Sequence, residues 1–267
     1  MTRSISLPMY DFPEVHASST ALLEALSVAF AAVGEDAQPS FPESSVHEHL
    51  MTMWKDDNTL LSQSCGLPFV EALHDYVDVV ATLKWAGISD DRGWYRTVIV
   101  VREAQGAATL GEVGGLQPVI TNPQSLSGWC SLGVALGEVT TDPQFVQPYV
   151  ESGGHAKSLQ MLQDKRADIA SIDPGTFQLL SRHRPTLTRG LRIIGHGPLV
   201  PATPLHVSKI RNVSLEQARE SVLEVISRPE LAGARADIGI DGVVPMSNED
   251  YSAIAPLVER AHAILPR

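Results

Sequence analysis

Apolar and polar positions along this chain repeat one grammar: a short apolar run, a turn of small and polar residues, then an apolar stripe at helical spacing. The run "SISLPMY" reads as a strand, after which Pro13 can sit in the first turn of a helix, where its missing N–H does no harm. That helix is "EVHASSTALLEALSVAFAAVG", with Leu22, Leu26, Ala29 and Val33 on one face and Gly34 as its stop. "TLLSQSCGLPFVEALHDY" predicts a strand through Leu61, a Gln63-Ser64-Cys65-Gly66 turn and a helix with Pro68 near its start. "LQPVITNPQSLSGWCSLGVAL" predicts a strand through Thr121, the turn that carries Ser125, Ser127 and Gly128, and a further helix. In "FVQPYVESGGHAKSLQMLQDKRADIASID" an extended segment ends at Ser152-Gly153-Gly154. A helix then turns Ala156, Leu159 and Leu162 inward, and "ADIASID" is the next strand.

This alternation predicts an α/β protein with mostly parallel sheets flanked by helices. Ligands of such sheets collect beyond the carboxyl ends of the strands, beside helix N-termini. Two long apolar runs, "YRTVIVVRE" (95–103) and "LRIIGHGPLVPATPLHVS" (191–208), bracket about ninety residues. The middle segment is therefore expected to fold as its own unit before the chain returns to the first. The expected division is residues 1–98 with 195–267 as one lobe and 99–194 as the other, joined by crossover strands near 96–103 and 190–196. Two lobes joined in this way make a hinged clamshell with a ligand cleft. "LEQARESVLEVI" and "NEDYSAIAPLVERAHAIL" are amphipathic helices, expected to pack on the first lobe.

The chain has 267 residues, enough for two cores, and a formal net charge of −11 without any basic cluster. That balance argues against nucleic acid as a partner and against an anionic membrane surface. No stretch approaches the roughly 18 apolar residues of a membrane span. The start, "MTRSISLPMYDFPEV", has no apolar run leading to a small-residue cleavage site, which keeps a cytoplasmic location open. The two cysteines, Cys65 and Cys130, are read as thiols. His47 and His49 in "VHEHL" are two apart and diverge on a helix, so they suggest no metal site. Neither a phosphate-binding loop with its Gly-Lys-Ser/Thr end nor a dinucleotide fingerprint occurs, and no cofactor is indicated.

Candidate chemistry gathers at the turns. Ser125-Leu126-Ser127-Gly128 offers hydroxyls and amides at a helix start, which suits either a capped helix or an anion cradle. His155 falls in a first helical turn and can donate to an anion, while Asp173 ends a strand at the same end of the sheet. Asp168 reads as a turn residue. A Ser127-His155-Asp173 hydrolytic triad is the least favoured reading, because the serine lacks the nucleophile-elbow motif.

Taken in order, "LLSQSCGLPF", "YRTVIVVR", "NPQSLSGW", "SGGHAKSLQMLQDKRADIASID" and "LRIIGHGP" resemble the phosphate, phosphite and phosphonate-binding proteins of ABC uptake systems. The resemblance runs from about Leu7 to Pro204. It implies a two-lobed type II periplasmic-binding-protein fold, a periplasmic location, an ABC permease as partner and no catalysis. It also implies that Ser125, Ser127 and Gly128 bind phosphonate oxygens, with Leu126 standing where the family has threonine. The family's cleft histidine and aspartate match His155 and Asp173. Tyr10 and Tyr95 are the tyrosines expected from the other lobe, and Ser64 and Cys65 lie in a cleft-facing turn. The expected function is a solute-binding protein for a small oxyanion. The alternatives are an aromatic heterocycle stacked on Trp129, Tyr10 and Tyr95, or a cytoplasmic ligand sensor.

Overall fold

The apolar runs become strands because their Val, Ile and Leu side chains suit a pleated, buried surface. The computed structural model describes residues 3–44 and 46–267. In chain order its strands are β1 Arg3–Ile5, β2 Ala37–Pro39, β3 Thr59–Gln63, β4 Val77–Trp85, β5 Trp94–Tyr95, β6 Val98–Arg102 and β7 Pro118–Ile120. They continue as β8 Val150–Glu151, β9 Ile169–Ile172, β10 Leu191–His196, β11 Val200–Pro201, β12 Pro204–Ser208 and β13 Ile240–Pro245. The chain divides into two units, one running to Trp94 and resuming over Pro201–Ser252, the other Tyr95–Val200 with Ala253–Arg267. Among the described residues no helix is long and apolar enough to cross a membrane.

The first unit is built on a six-stranded sheet in the order β13-β4-β12-β3-β1-β2. Helix His16–Ala32 buries Leu22, Leu23, Leu26, Ala29 and Phe30, and packs against helices Leu215–Ser227 and Ala232–Ile238. Each such large side chain contributes about 1.5–3 kcal/mol on full burial. Gly34 ends the helix as expected, at a φ of +94°, where a side chain would be strained. Val33 is only partly buried. Helix Leu215–Ser227 starts from a capping box: the Ser214 hydroxyl accepts the Gln217 amide at 3.1 Å, and the Gln217 side chain accepts the Ser214 amide at 3.0 Å. Ser214→Ala is expected to lower unfolding free energy by about 1 kcal/mol, measured by urea denaturation.

The second unit has a five-stranded sheet in the order β10-β6-β9-β7-β8. Both sheets are mixed, where the repeated grammar predicted mostly parallel ones. In the first, β1 pairs in parallel with β2 and β3, but β12 runs antiparallel to both β3 and β4. β12 carries the chain back from the second unit, and a returning strand inserted between two outgoing ones must oppose them. In the second, β6 and β10 lead the chain in and out and so pair antiparallel, while β7, β8 and β9 are parallel.

The runs expected as crossovers are thus sheet strands of the second unit, and the chain passes between units at Trp94/Tyr95 and Val200/Pro201. It passes once more at Ser252/Ala253, so the closing helix Ala255–His262 belongs to the second unit rather than the first. A contact there accounts for this. Gly133, in helix Ser131–Gly137, lies so close to Ala261 that a Cβ would sit 2.8 Å from the Ala261 Cα. Two small residues let the helix backbones meet.

Candidate functional site

In the second unit three adjacent parallel strands, β9, β7 and β8, each run into a turn and then a helix start. Helix N-termini carry unpaired N–H groups and partial positive charge, so this end of the sheet is suited to an anion. After β7 the chain is turned by Asn122, whose side chain accepts the Gln124 amide at 2.9 Å and whose carbonyl accepts the Ser125 amide at 3.2 Å. Ser125 is extended and is the N-cap: its Oγ accepts the Gly128 amide at 2.9 Å. Trp129 and Cys130 both donate to the Ser125 carbonyl, giving a wide first turn over Leu126–Cys130 that continues into helix Ser131–Gly137. Gly128 is required by proximity, since a Cβ there would lie 2.3 Å from Thr121 Oγ1. Thr121 Oγ1 is itself buried without a hydrogen-bond partner among the described residues.

The two serines of the turn therefore do different work. Ser125 caps, whereas Ser127 Oγ lies 2.8 Å from His155 Nε2. Ser127 occupies the first turn, where an amide has no acceptor within the helix. His155 is the first residue of helix His155–Gln163, which has no side-chain cap. Its turn is fastened to the end of β7: the Gly153 amide donates to the Thr121 carbonyl at 2.8 Å, and Ser152 Oγ donates to the Ile120 carbonyl at 3.1 Å. Gly153 has a φ of +81°, a conformation that favours glycine. Leu159 and Leu162 are buried as expected, and Ala156 is partly so.

Asp173 caps helix Pro174–His183, accepting the Thr176 amide on Oδ1 at 2.8 Å. Its Oδ2 accepts the Tyr95 hydroxyl at 2.9 Å. Burial pushes His155 below the usual histidine range, against the opposing pull of the Asp173 charge. His155 Nδ1 is buried with no hydrogen-bond partner among the described residues. A hydrolytic triad needs an acid on that nitrogen to orient the imidazole, and both carboxylate oxygens of Asp173 bond elsewhere. Asp168, by contrast, holds the fold: it pairs with Arg102 at 2.5 Å and accepts the Gln117 amide at 3.0 Å.

The residues singled out from the sequence divide between the units. Ser125, Ser127, Gly128, His155 and Asp173 gather in the second, joined by Tyr95, which was expected from the other lobe. Tyr95 follows the chain passage directly, so its side falls on the second unit. Tyr10, Ser64 and Cys65 lie in the first. Tyr10 is buried against Trp85 with ring centroids 4.2 Å apart. Ser64 is fully buried with its hydroxyl unpartnered, and Cys65 is the half-buried residue before helix Gly66–Pro68. Thr121, Thr97 and Ser171 were not singled out. Thr121 backs Gly128, and Ser171 Oγ, two residues before Asp173, donates to Thr97 Oγ1 at 2.8 Å. Of the three only Thr121, the polar residue that closes the apolar run of β7, carried a sequence signal.

A cavity of about 640 Å³ also lies in the second unit, lined by Pro143, Val146, Pro148, Tyr149, Ile264 and Leu265 among others. It includes no charged side chain and none of the candidate residues. An anion is favoured by the positive field of helix starts, and those lie at the turns rather than among the residues lining this cavity.

The sequence matches the family model for the periplasmic substrate-binding protein of phosphonate ABC transporters over residues 7–251. No curated protein matches it in sequence. Among solved structures, PhnD1 from Prochlorococcus marinus in complex with methylphosphonate is similar, with a TM-score of 0.79 and 13% identity, covering 98% of this chain and 99% of that one. A binding protein component of an ABC phosphonate transporter from Pseudomonas aeruginosa gives a TM-score of 0.73 at 15% identity, over 97% of this chain and 87% of its own. A Xanthomonas citri protein bound to ATP gives 0.73 at 13% identity, over 98% of both chains.

Proposed function

Since the chain belongs to the family of periplasmic substrate-binding proteins of phosphonate ABC transporters, we propose that it binds a small phosphorus oxyanion without chemical change and delivers it to an ABC permease. Solute binding, an ABC transporter and a periplasmic setting are properties of that family, and they support the reading. The proposal adds the ligand and its seat: phosphate, phosphite or a phosphonate, held by the Ser127 hydroxyl, which His155 adjoins, and by the first-turn amides of the second unit.

One observation carries the reading. The Ser127–His155 pair, bonded at 2.8 Å, stands at helix starts that follow adjacent parallel strands, and Asp173 caps the helix after a third. Several donors thus meet a field that favours negative charge. The ligands named for two similar structures, methylphosphonate and ATP, both carry tetrahedral phosphorus oxyanions, which agrees with the chemistry of the site.

The aromatic-heterocycle reading gains no comparable support. Trp129 is fully buried, donates its indole N–H to the Leu265 carbonyl at 3.0 Å and lies under the Arg267 guanidinium at 4.2 Å. Tyr10 is engaged with Trp85, and Tyr95 with Asp173.

A thermal-shift panel of phosphate, phosphite, methylphosphonate, 2-aminoethylphosphonate and an aminopyrimidine tests the choice. At least one oxyanion should raise the melting temperature at concentrations where the pyrimidine does not. A pyrimidine shift with no oxyanion shift would reverse the assignment.

A further inference from the structure

The two ring nitrogens of His155 have different surroundings. Nε2 lies 2.8 Å from Ser127 Oγ, in a bond that either partner can donate. Nδ1 is buried and has no hydrogen-bond partner among the described residues. Burial holds the ring below the usual histidine range, so at neutral pH it carries a single proton. A proton on Nδ1 would bury an N–H with no acceptor, an arrangement native structures almost never tolerate. A bare nitrogen lone pair there is less costly.

The proton therefore belongs on Nε2, and Ser127 Oγ must accept it. A serine hydroxyl has one hydrogen and two lone pairs. With a lone pair facing His155, the hydrogen is left to point elsewhere. The opposite arrangement would spend the hydroxyl hydrogen on the ring and present only lone pairs to an anion, which repels.

We infer that His155, as its Nε2–H tautomer, is a positioning residue that donates to Ser127 and so commits the Ser127 hydroxyl to donate to the bound oxyanion. This rests on the oxyanion reading and deepens it. It also sets a preference: the ligand oxygen that meets Ser127 should be an unprotonated one, since a charged oxygen accepts a hydrogen bond more strongly than a P–OH.

Two measurements on the full chain test the inference. In 15N-labelled protein, long-range imidazole correlations report which ring nitrogen holds the proton. His155→Gln identifies the His155 signals by their loss. A protonated Nε2 with a bare Nδ1 is expected, and a protonated Nδ1 would overturn the inference.

Calorimetry with methylphosphonate then asks whether His155 acts through Ser127. Ser127→Ala and His155→Leu should each weaken binding by roughly tenfold or more. The double variant should be little worse than Ser127→Ala alone, since without the Ser127 hydroxyl His155 has nothing to position. His155→Gln, which can place an amide N–H near the Nε2 position, should restore much of the affinity. Losses that multiply in the double variant would mean that His155 meets the ligand by itself, and the positioning role would fall. If no oxyanion binds the wild type, the functional reading fails, while the NMR result still decides whether His155 fixes the Ser127 proton.

Discussion

Ser127→Ala weakens oxyanion binding by roughly ten- to a hundredfold and leaves the fold nearly unchanged: this is the expected result of a titration calorimetry series. A hydrogen bond to a charged group contributes about 1.5–3 kcal/mol, and about 1.4 kcal/mol is a decade in affinity. Stability is spared because Ser125, not Ser127, caps the helix, its Oγ accepting the Gly128 amide. Ser125→Ala should show the opposite profile, losing about 1 kcal/mol of stability. The contrast between the two variants is sharper than either alone. Unchanged affinity in Ser127→Ala, with a lower melting temperature, would reduce the whole turn to a helix cap.

Acid is expected to destabilise the protein through His206 as the pH falls below 6.5. His206 sits in the middle of β12 between β3 and β4, almost fully buried, with Nε2 unpartnered among the described residues. Burial lowers its pKa from 6.5 to about 3. Above 6.5 both the folded and unfolded chains hold the ring neutral, and the histidine costs nothing. Below it the unfolded chain takes up a proton that the folded chain refuses. Folding then loses about 1.4 kcal/mol per pH unit until the folded ring itself titrates near 3, on the order of 5 kcal/mol in all. Urea midpoints for the wild type and His206→Leu at pH 7.5 and at about pH 4.5 measure the effect. The variant should lose less than the wild type on acidification, by about 3 kcal/mol, accrued over roughly the two units below 6.5. Equal losses would show that His206 is protonated in the fold.

How far these features could be read from the sequence depends on the distance between the groups involved. The strand-turn-helix order was legible because each unit of it is local, and so were the turns that hold Ser125, Ser127, His155 and Asp173. Gly34 was legible for the same reason, since a helix stop is a property of one residue. The division of labour between Ser125 and Ser127 was not. It depends on where the Ser152–Gly154 turn is fastened to β7, through bonds between residues some thirty positions apart. Tyr95 was assigned to the wrong unit because the alternation of "WYRTVIVV" marks a strand but not the point at which the chain changes units. The closing helix was misplaced for a related reason. Its apolar stripe shows that it packs, while the partner is chosen by Gly133 meeting Ala261, more than a hundred residues apart. The mixed sheets follow from the returning strand β12, and a local pattern carries no strand direction.

A crystal structure with methylphosphonate bound tests the central claim most directly. The account predicts phosphonate oxygens within hydrogen-bond distance, about 2.5–3.2 Å, of Ser127 Oγ and the first-turn amides. Methylphosphonate seated away from Ser127, for example in the cavity between Pro143 and Leu265, would contradict it.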